Sequence, residues 1–240
     1  MNLAVKLTPP AAFLRLLVTF ALALGLTACG SSSSDDEPTN GNGNGGGTQI
    51  PIGDGNFATS GDIDMVEYGF PAGNATLTYQ EYDVDLGENI DYGTYTETWT
   101  RDGNEVSVTS SMGFTLTATI HSDRISMSAM GFEVQYPRFV NSGSAYIDDE
   151  DIREVAFGPY SSYTFEPGGG FEARTYQDVV IVMEHDKEYE DVYMSVFVKG
   201  EGSVGSKEFW GCPDDVTLDP TIDYTEVCGT SYYLELLVED

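Results

Sequence analysis

Apolar side chains in this chain recur at every second residue, and that period admits strands and little else. Phe114, Leu116, Ala118 and Ile120 alternate with Thr115, Thr117, Thr119 and His121, the pattern of a strand with one buried face. Ile125, Met127 and Ala129 alternate in the same way with Ser126 and Ser128. Val192, Met194, Val196 and Val198 alternate with Tyr193, Ser195, Phe197 and Lys199; here both faces are mainly apolar, which predicts a central strand. Further strands are predicted over 63–69, 75–84, 94–101, 105–110, 132–140, 160–166, 176–184, 206–210 and 230–238. Glycine-rich and Ser-Asp turn signals separate them, and Asp102-Gly103 between Trp99 and Val106 is the clearest hairpin signal. Only Asp148 to Phe157 offers helical spacing, with acids crowded at its start as a helix N-terminus prefers, and it predicts a turn or two of helix. Short strands at this spacing predict an all-β fold, an antiparallel β-sandwich of about 10–12 strands, with a closed barrel as the alternative.

Charge excludes several functions. The 240 residues carry 40 Asp and Glu against 10 Lys and Arg, a formal charge of −30. Nothing so acidic releases counterions from phosphate, so no nucleic acid partner is expected. Nor does it offer the basic face that would hold it on anionic lipid. The 12 Phe, 15 Tyr and 2 Trp exceed what a wholly disordered polyanion carries. Residues 57–240 alone hold 36 acids and 8 bases, so the −28 belongs to the folding part of the chain. Such a charge favours solubility, costs the compact state self-repulsion, and suits a saline habitat.

The first residues have a different character. Lys6 and Arg15 precede an apolar run from Leu16 to Leu26, far short of the ~20 residues a spanning helix needs. A charged start, a short apolar core and a small-residue end make a secretory signal over residues 1–28. Its end, Leu26-Thr27-Ala28-Cys29, resembles the lipobox of bacterial lipoproteins. The resemblance implies cleavage before Cys29, a diacylglyceryl group on its thiol, and acylation, typically with palmitate, of the new amine. Two or more chains at about 0.8 kcal/mol per buried methylene make a stable anchor. Gly30 stands where an Asp would resemble an inner-membrane retention signal, so the family rule implies the outer membrane, on its periplasmic or its surface side. From Cys29 to residue 56 runs a Gly/Ser/Asn/Asp tether with an r.m.s. reach of about 30 Å. Residues 57–240 are then expected to form one acidic all-β domain.

Within that domain the sequence nominates few sites. With Cys29 taken by lipid, Cys212 and Cys228 remain as a pair in an oxidising compartment, and a structural disulfide is expected. Asp83, Asp85 and Asp91 place carboxylates around a Gly turn, the hard oxygen donors calcium requires, although the spacing is not that of an EF-hand. Calcium is the one cofactor considered; Asp148-Asp149-Glu150-Asp151 forms a second acidic knot. Gly200 to Gly205 spells G-x-G-x-x-G, but a strand pattern follows it, so it reads as a hairpin and not a nucleotide loop. No Gly-x-Ser-x-Gly occurs, His121 sits on the polar phase of its strand, and His185 is expected in a loop between strands. No catalytic residues are therefore nominated. Tyr92, Tyr95, Trp99, Tyr160, Tyr163, Tyr232 and Tyr233 offer either core packing or a stacking platform for sugar rings.

Residues 93–130, with Gly-Thr-Tyr-Thr-Glu-Thr-Trp-Thr, the Asp-Gly-Asn turn and two further strands, resemble the repeated hairpins of bacterial lipocalin-like lipoproteins. That resemblance implies a closed barrel around a ligand. The expectation is a lipid-anchored envelope protein presenting an acidic β-domain with a structural or ligand-binding role. A carbohydrate- or small-ligand-binding module is the runner-up, and an enzyme acting on polysaccharide the third reading. Partners expected are the membrane, through the acyl chains on Cys29, and a glycan, a small ligand or another envelope protein.

Overall fold

A computed structural model describes residues 57–85, 88–129, 132–147 and 152–238. The signal, Cys29, the tether and the acidic knot at 148–151 lie outside the described residues. The chain enters through a short strand, β1 (Ile63–Asp64), and a single helical turn, α1 (Met65–Gly69). Six strands follow: β2 (Ala75–Val84), β3 (Asn89–Asp102), β4 (Glu105–Ser110), β5 (Thr115–Ile120), β6 (Arg124–Ala129) and β7 (Phe132–Pro137). After the short β8 (Phe139–Val140) and β9 (Ala145–Ile147) come β10 (Ile152–Phe165), β11 (Arg174–Asp186), β12 (Asp191–Val198) and β13 (Gly202–Trp210). A four-residue helix, α2 (Tyr224–Val227), precedes the last strand, β14 (Tyr232–Leu237).

The architecture is all-β and antiparallel. Twelve strands form one sheet in the order β7-β6-β5-β4-β3-β2-β14-β13-β12-β11-β10-β9, and β1 pairs β8 in a second, two-stranded sheet. Every neighbour in the large sheet is a sequence neighbour except β2 and β14. Two meanders are thus joined where the final strand pairs with the first long one, in register from Tyr232 opposite Val84 to Leu237 opposite Tyr79. The strands β7 and β9 are edges, so the sheet does not close into a barrel. It folds over instead. Val108, Leu116, Ala118, Ile125 and Met127 of β4 to β6 share one core cluster with Ala156, Val180, Val182 and Phe197 of β10 to β12. Strands so distant in sheet order meet only when the two halves face each other, which makes the layers of a sandwich. Ile63, Met65, Val66, Tyr68 and Phe70 join the same cluster.

Three local expectations are corrected. The stretch predicted as a strand over 63–69 is strand only at Ile63–Asp64 and then turns helical. Asp64 is the reason: its Oδ1 accepts from the Val66 N–H at 3.0 Å, capping a turn that buries Met65, Val66 and Tyr68. The helical spacing over 148–157 does not become a helix where it is described, because Ile152–Phe165 is strand β10. Pairing with β11 from Ile152 opposite Asp186, and with β9 on the other side, satisfies its backbone on both edges and overrides the acidic start signal. His185 lies not in a loop but in β11, opposite Val192, and is buried. The hairpin and the central strand are as expected. Asp102 pairs with Glu105 across a two-residue hairpin whose Gly103 takes φ +61°. The apolar-faced β12 is central, between β11 and β13.

A second core lies on the opposite face of β11 to β14, where Ile181, Met183, Val192, Val196, Phe209 and Leu234 are buried. The segment 212–228 covers part of it with Cys212, Val216, Leu218 and Tyr224. Cys212 and Cys228 are bonded, with their Cα atoms 4.2 Å apart. The bridge pins both ends of this cover, and inside it the Tyr224 hydroxyl donates to the Thr217 carbonyl at 2.7 Å and accepts from the Asp219 N–H at 3.0 Å. Reduction, or Cys212→Ser, is expected to lower stability by about 2–4 kcal/mol without unfolding the meanders outside the bridged segment. Denaturant titration checks the size, and free-thiol titration of the oxidised protein that found both cysteines reactive would remove the bridge.

Candidate functional site

Alternation along β13 sends Gly205, Lys207 and Phe209 to the face covered by segment 212–228. There Lys207 stands opposite Leu234 of β14 and Met194 of β12, and its side chain reaches a cavity of about 890 Å³. The end of β10 supplies one wall with Tyr163, Phe165 and Glu166, and the end of β2 another with Val84 and Asp85. Residues 220–225 and Tyr232 complete it. Gly205 allows this packing, since a Cβ there would stand 2.7 Å from the Phe165 ring. Gly168 does the same at the lip: a Cβ would lie 2.1 Å from the Tyr232 hydroxyl, which donates to the Pro167 carbonyl at 2.6 Å. Asn89 ties the β2–β3 turn to this lip by donating its Nδ2 to the Gly169 carbonyl at 2.7 Å.

The Lys207 ammonium sits in an aromatic box. Its Nζ lies 5.3 Å from the Tyr232 ring centroid, 5.5 Å from that of Phe165 and 6.0 Å from that of Phe209. Among the described residues no carboxylate forms an ion pair with it. Burial pushes its pKa down to about 8, against the opposing pull of Asp223 and Glu166. Burial pushes the Tyr163 and Tyr232 phenols up to about 12, so both stay protonated, with the Tyr232 proton held by the Pro167 carbonyl. The cavity therefore combines three chemistries. The half-exposed Tyr163 ring invites stacking, the Thr230 hydroxyl and the rim acids invite hydrogen bonding, and one cation sits at the wall.

A second cavity, of about 680 Å³, gathers Arg101, Arg138 and Lys199. Two of these charges are already matched, Arg138 by Asp64 at 2.7 Å and Lys199 by Glu67 at 2.8 Å. It is the weaker candidate.

On the opposite face of the sheet, three glutamates are buried along the seam between the meanders. Glu235 stands opposite Glu81, and Tyr79 opposite Tyr95 with their rings stacked 5.2 Å apart. Tyr95 donates to Glu235 at 2.6 Å, Tyr233 donates to Glu81, and the Trp99 indole donates to Glu97 at 3.0 Å. Burial pushes Glu97 up to about 7 and Glu235 up to about 8, and raises Glu81 as well. Glu97 and Glu235 are therefore protonated acids in the interior at mildly acid pH, and the three connect to stability more directly than to a ligand.

The carboxylates nominated for calcium are not brought together. Asp83 stands opposite Ile90 and Asp91 opposite Tyr82, so the pleat sends Asp83 and Asp91 to opposite faces. Asp91 accepts from the Gly93 N–H at 2.7 Å and from Gln80, Asp83 accepts from Tyr92, and Asp85 accepts from the Ser231 hydroxyl at 2.9 Å. Among the described residues no group of three or more metal-ligating side chains stands close enough to hold an ion. The seven aromatics of the sequence platform are likewise divided. Tyr95, Trp99 and Tyr233 serve the glutamate face, Tyr92 is exposed, and Tyr160, Tyr163 and Tyr232 lie on the cavity side, where the last two line the cavity. His121 lies just past the end of β5, in the connection to β6, and is hydrogen-bonded to Ser126 at 3.0 Å. Lys207 was not legible as a site residue, because one lysine in a strand carries no motif. The sequence matches no family model, and no curated protein resembles it significantly.

Proposed function

We propose that this chain is a lipid-anchored protein of the outer membrane whose β-domain binds a small ligand, of the carbohydrate class first, in the cavity beside Lys207. The lipobox at Cys29 supports the anchor, and the tether supports presentation of the domain clear of the headgroups. The cavity is the observation that carries the binding role. Its volume lies in the range of small-molecule sites, and it joins the half-exposed Tyr163 ring to a few convergent polar groups.

A melting-temperature panel of oligosaccharides and apolar small molecules tests the reading. A ligand is expected to raise the melting temperature of the wild type and to lose that effect in Thr230→Trp, which fills the cavity from an exposed position in its lining. Shifts of equal size in both proteins, or none with any compound, would overturn it.

A further inference from the structure

We propose that the ligand of this cavity is a sugar carrying a carboxylate, a uronic acid or a close analogue, held by pairing of that carboxylate with the Lys207 ammonium. This rests on the binding role given above and adds the ligand's charge.

Charges withdrawn from water are usually paired; Lys207 is half-buried, its ammonium is boxed by three rings, and no carboxylate of the described residues forms an ion pair with it. Its Nζ faces a cavity large enough for a sugar ring or two. A carboxylate arriving there would form a charge-assisted hydrogen bond in surroundings where such a bond is stronger than in water. The remainder of the lining suits the remainder of a sugar. Tyr163 is half-exposed and offers its ring to the C–H side of a pyranose, while Phe165 and Tyr232 are buried against Lys207; Asp85, Glu88, Glu166 and Asp223 carry acceptor oxygens for its hydroxyls. A purely apolar acid would offer these carboxylates no donors.

The obvious objection is charge, since the domain carries −28. That field is screened beyond about 8 Å at physiological salt, whereas the pair with Lys207 forms in contact. The charged and titratable groups around Lys207 are Asp223 with Tyr224, Glu166 with Tyr163, Tyr232 of β14, and Asp85 and Glu88 farther along the lining. None of them is a competing cation. Any carboxylate specificity must therefore come from Lys207.

Methyl glucuronide and methyl glucoside differ only in the carboxylate and make a matched pair of probes. With the acylated full-length protein in nanodiscs at pH 6.5, the glucuronide is expected to bind about tenfold tighter than the glucoside. Above about pH 8 its affinity should fall, by about tenfold in all, as the ammonium it needs is lost. Lys207→Met should abolish the preference and Lys207→Arg should keep part of it; the pH series on the wild type decides the matter should either variant misfold. Equal affinity for both probes, or a glucuronide affinity that is flat from pH 6.5 to 9.5, overturns the charge assignment and leaves the sugar cavity standing. No binding of either probe overturns the sugar cavity itself.

Discussion

Raising the pH from 5.5 to 8.5 is expected to lower the melting temperature by on the order of 10 °C, and Glu235→Gln is expected to remove much of that fall. The folded protein holds Glu235 to about 8 and Glu97 to about 7, against an ordinary carboxyl value of 4.5. Between 4.5 and these values the folded state keeps protons that the unfolded chain has released. Folding is therefore favoured at the acid end of the window, and stability is lost as the pH rises through it. At about 1.4 kcal/mol per unit, Glu235 alone contributes on the order of 5 kcal/mol across its range. Glu97 and Glu81 act in the same direction, as does relief of the domain's self-repulsion on protonation. His185 works against them: burial lowers its pKa below 6.5, so it adds stability as the pH rises through that value. One imidazole against three carboxyls leaves the sign unchanged. Glutamine keeps an oxygen for the Tyr95 hydroxyl and cannot ionise. Glu235→Gln should therefore melt near the wild type at pH 5 and well above it at pH 8.5. Parallel melting curves for the two proteins across this range would contradict the burial argument.

The second large effect concerns the membrane. Cys29→Ser is expected to move the protein from the membrane fraction to the soluble fraction once the signal is removed, and to abolish incorporation of labelled fatty acid. No helix among the described residues is long and apolar enough to cross a membrane. In the proposed attachment the hold comes from the acyl chains on Cys29, where each methylene contributes about 0.8 kcal/mol. A mature Cys29→Ser protein that stayed with the membrane, beside a wild type that took up no label, would end the lipoprotein reading.

Strand positions were legible because each depends on a local pattern. The alternation from Phe114 to Ile120 yields β5, and Asp102-Gly103 yields the β3–β4 hairpin, where sequence neighbours are also partners. The joining of β14 to β2 spans the whole domain, and no local signal specifies it. The turn at Met65–Gly69 was hidden because its cap, Asp64, is a single hydrogen bond within an apolar stretch that also suits a strand. The buried glutamates carried a signal that the abundance of acids concealed. Tyr79-Gln80-Glu81, Tyr95-Thr96-Glu97 and Tyr233-Leu234-Glu235 each place Glu on the same phase as a buried Tyr. An acid on the inward phase beside an aromatic predicts a buried carboxyl with a hydroxyl donor, whatever the net charge. The cavity is different in kind. Its walls come from β10, β13, β14, the β2–β3 turn and the disulfide-bridged segment, and only the folded sheet assembles them.

The most direct test of a ligand site at Lys207 is an NMR titration of the protein after reductive methylation of its lysines with ¹³C-formaldehyde. Past the signal the chain has three lysines, Lys187, Lys199 and Lys207, so the methyl resonances are few and assignable by substitution. Lys199, paired with Glu67, is expected to titrate above the ordinary 10.5, and Lys207 far below it, near 8 before allowing for the methyl groups. Added methyl glucuronide should then move the Lys207 resonance alone and raise its pKa, because a bound carboxylate stabilises the ammonium. A Lys207 resonance that titrates with the other two and does not respond to glucuronide would contradict the site.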